Sequence, residues 1–287
     1  MKGEKTMVKH IWKLMFLAIV VSAIVFQGCT VESGDGDVVV IDDNAAPATP
    51  RGVYSITGDE YVTVVWYPNQ ETDLSGYVVY RSRREFEDYE EIATVGSRAS
   101  DYVDRDVENG TTYYYAVAAF DRDGNESDLS PETVDDTPRP AGTNVTMEDY
   151  ILEPDISGFD LSRPDKGVQP FDARNIDIYF GVGVVDEELS VPFIYTANDD
   201  IGIQDLGYTD DIDDVDVSPE AGFTFAFSEA ILGHTYTFLT LEGNYAKIRL
   251  TDVSVNRVGG DIRRAWITFD WAYQLQTDNP ELAPGRN

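Results

Sequence analysis

Short runs of alternating apolar and polar residues dominate the first half of this chain. They recur every ~10 residues and are separated by proline, glycine, asparagine and aspartate. The runs are Gly52–Thr57, Tyr61–Trp66, Gly76–Ser82, Glu91–Val95 and Thr111–Phe120. Period-two alternation places successive side chains on opposite faces, so each run can cover one side of a core. The pattern predicts an antiparallel β-sandwich over residues 49–138.

The same segment resembles a fibronectin type III domain. The resemblance is carried by Thr49-Pro50, by Trp66 at the end of the second run, and by Asp73–Arg81 and Asn109–Tyr113. Tyr113 matches the tyrosine corner of such domains, whose hydroxyl bonds to the backbone shortly before its own strand. The resemblance therefore implies that Trp66 and Tyr113 are structural residues of an immunoglobulin-like sandwich.

Residues 141–287 predict a second β-rich domain of unknown function. Three alternating runs form a meander with one apolar side, namely His234–Leu241, Tyr245–Thr251 and Ala265–Tyr273. The alternation puts Trp271 inside, and Trp266, Lys247 and Arg249 on the opposite face. Further strands are expected at Asn175–Val182 and Pro192–Thr196, and one short helix near Ser228–Leu232. The predicted fold class of the protein is all-β: a fibronectin type III sandwich followed by a second β-rich domain.

The N-terminus has a different composition. Residues 1–13 contain four lysines and one glutamate, and an apolar run extends from Leu14 to Phe26. A basic segment followed by a short apolar core is typical of a secretory signal peptide. Phe26–Cys29 resembles the lipobox of bacterial lipoproteins, which implies that Cys29 is lipidated and becomes the mature N-terminus. Residues 1–29 are thus predicted as a lipoprotein signal peptide.

Residues 30–48 are acidic and rich in turn-forming residues, so they predict an extended tether. The resemblance to lipoproteins implies an exported protein held on the outer membrane by its N-terminal lipid, because Thr30 is not the aspartate that often retains such proteins at the inner membrane. Acyl chains give a lasting membrane attachment.

Charge excludes some partners. The chain has 53 Asp and Glu against 21 Lys and Arg, a formal net charge of -32. A surface this anionic repels phosphate backbones, so no nucleic-acid partner is expected. The small basic cluster of Arg81, Arg83 and Arg84 is predicted to be a solvated strand end. A single cysteine excludes an internal disulfide.

The stretch Ala197–Glu220 is rich in acids and contains no lysine or arginine. Carboxylates packed this densely are the hard oxygen ligands that calcium prefers. If calcium binds, the ligands are predicted to be Asp210, Asp211, Asp213 and Asp214. The alternative is a solvated acidic loop that keeps the surface soluble. No other cofactor is expected.

The segment from Gly233 to Arg249 is similar to a strand pair of HmuY-like haem-binding lipoproteins. That similarity implies His234 as a candidate ligand, with Met147 as the one methionine able to complete a His–Met pair after removal of the leader. The alternative role of His234 is a structural hydrogen bond at a strand entry.

No catalytic residues are predicted. The chain lacks the Gly-x-Ser-x-Gly pattern of a nucleophile elbow, and lipidation of Cys29 leaves no thiol for catalysis. The leading hypothesis is a non-catalytic cell-surface lipoprotein that binds or adheres to a surface protein or glycan. The alternative is a lipoprotein that captures haem or a glycan, for which Trp266, Trp271 and the abundant tyrosines would supply stacking faces. A surface hydrolase with two close carboxylates in a cleft is the third hypothesis.

Overall fold

The computed structural model describes residues 45–132, 134–184 and 190–283. The predicted signal peptide with Cys29, and the tether up to residue 44, lie outside the described residues. The strands in chain order are β1 Arg51–Thr57, β2 Val62–Tyr67, β3 Leu74–Ser82, β4 Glu90–Gly96, β5 Asp101–Asp104, β6 Tyr113–Asp121, β7 Val134–Asp136, β8 Ala141–Glu148, β9 Gly158–Phe159, β10 Val168–Gln169, β11 Ile178–Val184, β12 Ser190–Thr196, β13 Gly202–Tyr208, β14 Phe227–Glu229, β15 His234–Leu239, β16 Tyr245–Val258 and β17 Asp261–Tyr273. Three short 3₁₀ helices, Pro154–Ile156, Pro164–Lys166 and Ile212–Asp214, are the helical segments of the described chain.

Strands β1 to β7 form a fibronectin type III-like sandwich. One sheet has the order β1-β2-β5 and the other β4-β3-β6-β7, and all neighbours are antiparallel. Alternation along β2 turns Val62, Val64 and Trp66 inward, where they meet Tyr77 and Tyr115 of the opposite sheet. The predicted all-β fold class is confirmed.

The two structural residues expected in this sandwich are buried in its core. Trp66 is 1% exposed, and its ring lies 5.3 Å from that of Tyr77. The hydroxyl of Tyr113 accepts a hydrogen bond of 3.0 Å from the backbone N–H of Glu108, which is the geometry of a tyrosine corner.

Arg81 corrects one prediction, because it is not solvated. Its guanidinium donates to Asp104 at 2.8 Å, lies 5.1 Å from the ring centre of Tyr113 and also contacts Asp106. Asp104 belongs to β5, a short polar strand that the alternation did not predict. The partner of Arg81 therefore comes from a strand that pairs in the other sheet.

Strands β8 to β17 form a second β-sandwich. Its sheets have the orders β10-β9-β11-β12-β14 and β13-β15-β16-β17-β8. The core between them is lined by Phe180 and Ile194 from the first sheet and by Phe238, Ile267 and Phe269 from the second. Trp271 is 5% exposed and belongs to this core, as its position in the alternation predicts.

The prediction of a short helix near Ser228–Leu232 is wrong. Residues 227–229 form β14, which pairs with β12, and the chain then turns at Gly233 with φ 82°. Pairing with a neighbouring strand overrides local propensity here. Strands β8 and β13 were not predicted, since β8 contains glycine, threonine and asparagine and β13 contains two glycines and an aspartate, which obscure the alternation.

A short connection joins the two sandwiches. Only Thr137–Pro140 separates β7 from β8, and both prolines fix their backbone φ. The N–H of Arg139 donates to Gly58 in the first sandwich at 3.2 Å, and the N–H of Tyr273 donates to Pro140 at 3.0 Å. Both sandwiches belong to one compact unit. In the part of the chain that the structure describes, no helix has the length and hydropathy of a membrane span.

Candidate functional site

Aromatic side chains collect on the outer face of the β11–β12–β14 sheet. Along β11, Ile178 and Phe180 point into the core, so Tyr179 points outward. Register then places the rings of β12 and β14 beside it, because Tyr179 pairs with Tyr195 and Tyr195 pairs with Phe227. Two further rings come from loops at the end of the sheet. We call the six side chains the aromatic platform: Tyr150, Phe171, Tyr179, Phe193, Tyr195 and Phe227.

The rings of the platform are in contact with one another. Tyr179 and Tyr195 stack with centroids 4.9 Å apart and planes 11° apart. Phe171 lies 5.9 Å from Tyr179 at one end, and Phe227 lies 5.8 Å from Tyr195 at the other. The rings are half-buried, except that Phe227 is 51% exposed. The platform is thus a continuous cluster of rings, of which Phe227 is the most exposed.

Two glycines make this surface possible. Gly181 and Gly183 follow Tyr179 on the outward side of β11. A Cβ at Gly181 would lie 2.3 Å from the ring of Tyr150, and one at Gly183 would lie 2.9 Å from the ring of Phe193. Carbon atoms do not approach this closely, so any side chain at these positions would lift the rings from the sheet. The glycines let the rings lie against the backbone.

A buried carboxylate holds Tyr150 in place. Asp149 is 3% exposed and accepts a hydrogen bond of 2.7 Å from the N–H of Val182 in β11. Its other oxygen accepts from the N–H groups of Ile151 and Leu152, each at 3.0 Å. Charged acceptors make strong hydrogen bonds, so the loop that carries Tyr150 is fixed to the platform strand.

Two tyrosine hydroxyls of the platform, those of Tyr179 and Tyr195, stay protonated near neutral pH. Burial raises the pKa of Tyr179, and burial followed by the nearby Tyr150 and Tyr179 raises the pKa of Tyr195. A neutral hydroxyl both donates and accepts hydrogen bonds. The platform therefore offers apolar ring faces together with neutral polar groups.

His234 has a structural partner. Its Nδ1 lies 2.9 Å and 3.0 Å from the two carboxylate oxygens of Asp205. Met147 is fully buried in β8, and the sheet order puts β16 and β17 between β8 and the strand of His234. The structure does not bring the two candidate haem ligands together, so the haem hypothesis gains no support from this geometry.

The four aspartates proposed as calcium ligands lie at the 3₁₀ helix Ile212–Asp214. The side chain of Asp211 accepts from the N–H of Asp213, and Asp214 accepts from the N–H groups of Asp210 and Asp211, each at 2.9 Å. This is a reciprocal capping arrangement. The described ranges contain no group of three or more His, Cys, Asp or Glu placed to hold a metal ion. Calcium binding stays a prediction, and the capping roles favour the alternative of an acidic loop.

Lys247 was expected on the exposed face and is fully buried. The loop that contains the 3₁₀ helix covers it. The Lys247 Nζ donates to Ile212 O, Val215 O and Asp213 Oδ1, each at 3.0 Å. Burial, followed by the nearby charge of Arg139, lowers the pKa of Lys247 to about 8. The acidic loop is therefore attached to the sheet by a buried lysine.

The platform residues were not singled out in the sequence, where the aromatic candidates were Trp266, Trp271 and the tyrosines as a group. Trp271 is core, while Trp266 is half-buried on the other face, donating to Asp252 at 2.7 Å beneath Arg264. One signal in the sequence does indicate the platform. Tyr179-x-Gly181-x-Gly183 alternates with core residues, and Phe193-x-Tyr195 does the same on the next strand.

Comparison with known proteins finds relatives that match parts of the chain. No protein-family model matches it. It is similar to an amylopullulanase of Thermoanaerobacter thermohydrosulfuricus, with 35% identity over 134 residues, which are 46% of this chain and 9% of that protein. An amylopullulanase of Thermoanaerobacterium saccharolyticum is 36% identical over 108 residues, which are 38% of this chain and 8% of that protein. The chain thus spans less than a tenth of the length of these relatives.

Two solved structures have similar parts. An Fn3-like protein from Clostridium thermocellum is 29% identical and covers 33% of this chain and 98% of its own, with a TM-score of 0.29. A β-1,2-glucanase from Parabacteroides distasonis is 28% identical and covers 34% of this chain and 13% of its own, with a TM-score of 0.29.

Proposed function

We propose that this protein is a non-catalytic glycan-binding protein of the cell surface, and that the aromatic platform holds a neutral glucan chain. The observation that carries the proposal is the continuous cluster of six rings, packed over Gly181 and Gly183 on a rigid sheet. Contiguous apolar surfaces exposed on a folded domain are typical of binding sites.

The chemistry of the platform fits a sugar chain. One face of a pyranose ring presents C–H groups, which pack on aromatic faces, while its edge presents hydroxyls. The neutral hydroxyls of Tyr179 and Tyr195 can bond to those sugar hydroxyls. Successive contacts of 5.9, 4.9 and 5.8 Å run from Phe171 through Tyr179 and Tyr195 to Phe227. Such a row fits an extended chain better than a single sugar.

Charge selects the kind of glycan. The net charge of -32 repels polysaccharides that carry carboxylates or sulfates. A neutral polysaccharide chain is not repelled by this charge. The similarity to parts of two amylopullulanases, enzymes named for pullulan, points in the same direction and makes pullulan a suitable probe. In this proposal the chain corresponds to an accessory part of a glycan-active protein, and catalysis belongs elsewhere.

The location of the protein is part of the proposal. Lipidation at Cys29 would hold the protein on the outer membrane, and the acidic tether would place the sandwiches in solution beyond it. A surface-anchored binder would keep a polysaccharide close to the cell. Adhesion to a surface protein is the remaining alternative, and the platform would serve that role only if neutral glycans do not bind.

Affinity electrophoresis in gels containing pullulan tests the proposal. We expect pullulan to slow the wild-type protein strongly, and to slow Tyr179→Ala and Phe227→Ala clearly less. Loss of a stacked ring costs roughly 1 kcal/mol or more. Tyr208→Ala is the matched control, because Tyr208 is 69% exposed in the same sandwich but lies outside the platform.

Circular dichroism melting of each variant shows whether the fold is retained. Equal retardation of the wild type and the two platform variants would show that the platform does not bind pullulan. Absence of retardation of the wild type by pullulan would reject the neutral glucan as the ligand.

A further inference from the structure

A polar groove begins where the aromatic platform ends. The groove has a volume of about 590 Å³, and Phe171 belongs both to its lining and to the platform. Its other walls are the loops that follow β9, β10, β12 and β15. The groove is continuous with the platform through one ring, so a chain lying on the platform can pass directly into it.

The lining of the groove differs from the platform in chemistry. It presents charged and amide groups at the surface, namely Asp172, Arg174, Asn198 and Glu242. Together they offer both donors and acceptors, which is what a ring with several hydroxyls requires. Among the described residues, Arg174 forms none of the salt bridges, although carboxylates outnumber cations in this protein. Its guanidinium is available to a ligand.

Backbone hydrogen bonds hold the loops of the groove in position. The N–H of Phe171 donates to Pro154 O at 3.1 Å, and the N–H of Ala173 donates to Pro170 O at 3.0 Å. On the opposite wall the N–H of Ala197 donates to Asp177 O at 2.8 Å. The groove is therefore formed before a ligand arrives, and binding need not order its loops.

The balance of charge in the groove argues against an acidic sugar. Among the described residues of the lining, Arg163 is already paired with Asp160 at 3.0 Å, which leaves Arg174 as the unpaired cation against the exposed acids Asp172 and Glu242. A carboxylate or sulfate on the ligand would be repelled by this surplus of acids. Hydroxyl groups bond equally well to both kinds of side chain.

We propose that this groove is a second sugar subsite, which binds the hydroxyls of a neutral oligosaccharide that extends beyond Phe171 from the platform. The proposal rests on the proposed function of the platform and adds to it a dependence on chain length. A short oligosaccharide fills the platform alone. A longer one also reaches Asp172 and Arg174, and gains their hydrogen bonds.

NMR-monitored titration with maltose and maltohexaose tests this subsite. The groove variant is Asp172→Ala combined with Arg174→Ala, both at exposed positions, and the control is Lys166→Ala, an exposed residue outside the lining. Loss of two polar contacts should weaken maltohexaose binding about tenfold and leave maltose binding within about twofold of the wild type. Tyr179→Ala should weaken the binding of both sugars. An oligogalacturonate of similar length should not bind.

Each result has a separate meaning. If the groove variant binds maltohexaose as tightly as the wild type while Tyr179→Ala does not, the subsite is wrong and the platform stands. If the groove variant binds maltose and maltohexaose more weakly by the same factor, the groove does not distinguish chain length and the proposal fails. If the wild type binds neither sugar, the proposed function fails together with the subsite.

Discussion

The buried lysine beneath the acidic loop makes a prediction whose sign can be worked out. Lys247 is fully buried, and its pKa falls from 10.5 to about 8 in the folded protein. Between these values the unfolded chain binds a proton at this site that the folded protein does not. Folding is therefore favoured as the pH rises from about 8 to about 10.5.

The magnitude follows from the size of the shift. One pKa unit is equivalent to about 1.4 kcal/mol, so Lys247 adds about 3 kcal/mol to the free energy of unfolding across this window. Lys247→Met removes the titrating group. At pH 7 the variant loses three hydrogen bonds but no longer buries a cation, and these effects offset one another. The pH dependence is thus the informative quantity, rather than stability at one pH.

Urea unfolding of the wild type and of Lys247→Met, at intervals from pH 7 to pH 10.5, measures this pH dependence of stability. We expect the wild type to gain about 3 kcal/mol relative to Lys247→Met over this range. Lys166→Met is the control, because it removes an exposed lysine beside Asp165 by the same substitution. A Lys247→Met difference that stays flat or falls as pH rises would refute the assignment of a desolvated lysine.

Two further predictions concern a buried acid and the proposed anchor. Burial, aided by Asp160 and Glu242, raises the pKa of Asp177 from 3.8 to about 7, so the wild type loses stability as pH rises through this window. Asp177→Asn should remove that loss. In urea unfolding, the free energy of unfolding of the variant should rise by at most about 4 kcal/mol relative to the wild type between pH 4 and pH 8. An unchanged dependence of stability on pH would contradict the raised pKa of Asp177. Cys29→Ser should shift the protein from the membrane fraction to the soluble fraction of cells, and unchanged membrane association would reject lipidation at this residue.

Local alternation was sufficient to predict much of the fold. It located β2, β6, β15 and β17 and placed Trp271 in the core, because period two is a property of the strand itself, while the role of Trp66 came from the resemblance to fibronectin type III domains. It did not find β5 or β7, which are short and contain two aspartates each. Strands of this kind form because an existing sheet offers them a partner.

Contacts between distant segments explain the remaining errors. Lys247 was placed on the correct side of β16, but the loop that covers that side is more than thirty residues away in sequence. Arg81 was expected in solvent because Asp104 lies on a strand that had not been predicted. The platform combines rings from Tyr150 to Phe227, and only the pairing of β11 with β12 and β14 brings them together.

The two glycines beneath the platform suggest a way to recognise such surfaces in other chains. Rings can be exchanged among phenylalanine, tyrosine and tryptophan while an aromatic face is kept, but even alanine at Gly181 or Gly183 would collide with a ring. The informative pattern is therefore a pair of glycines two residues apart on the outward side of a strand, beginning two residues after an aromatic residue and opposite an aromatic-x-aromatic strand. A sequence search for this glycine pattern would find such a surface even where the aromatic residues themselves differ.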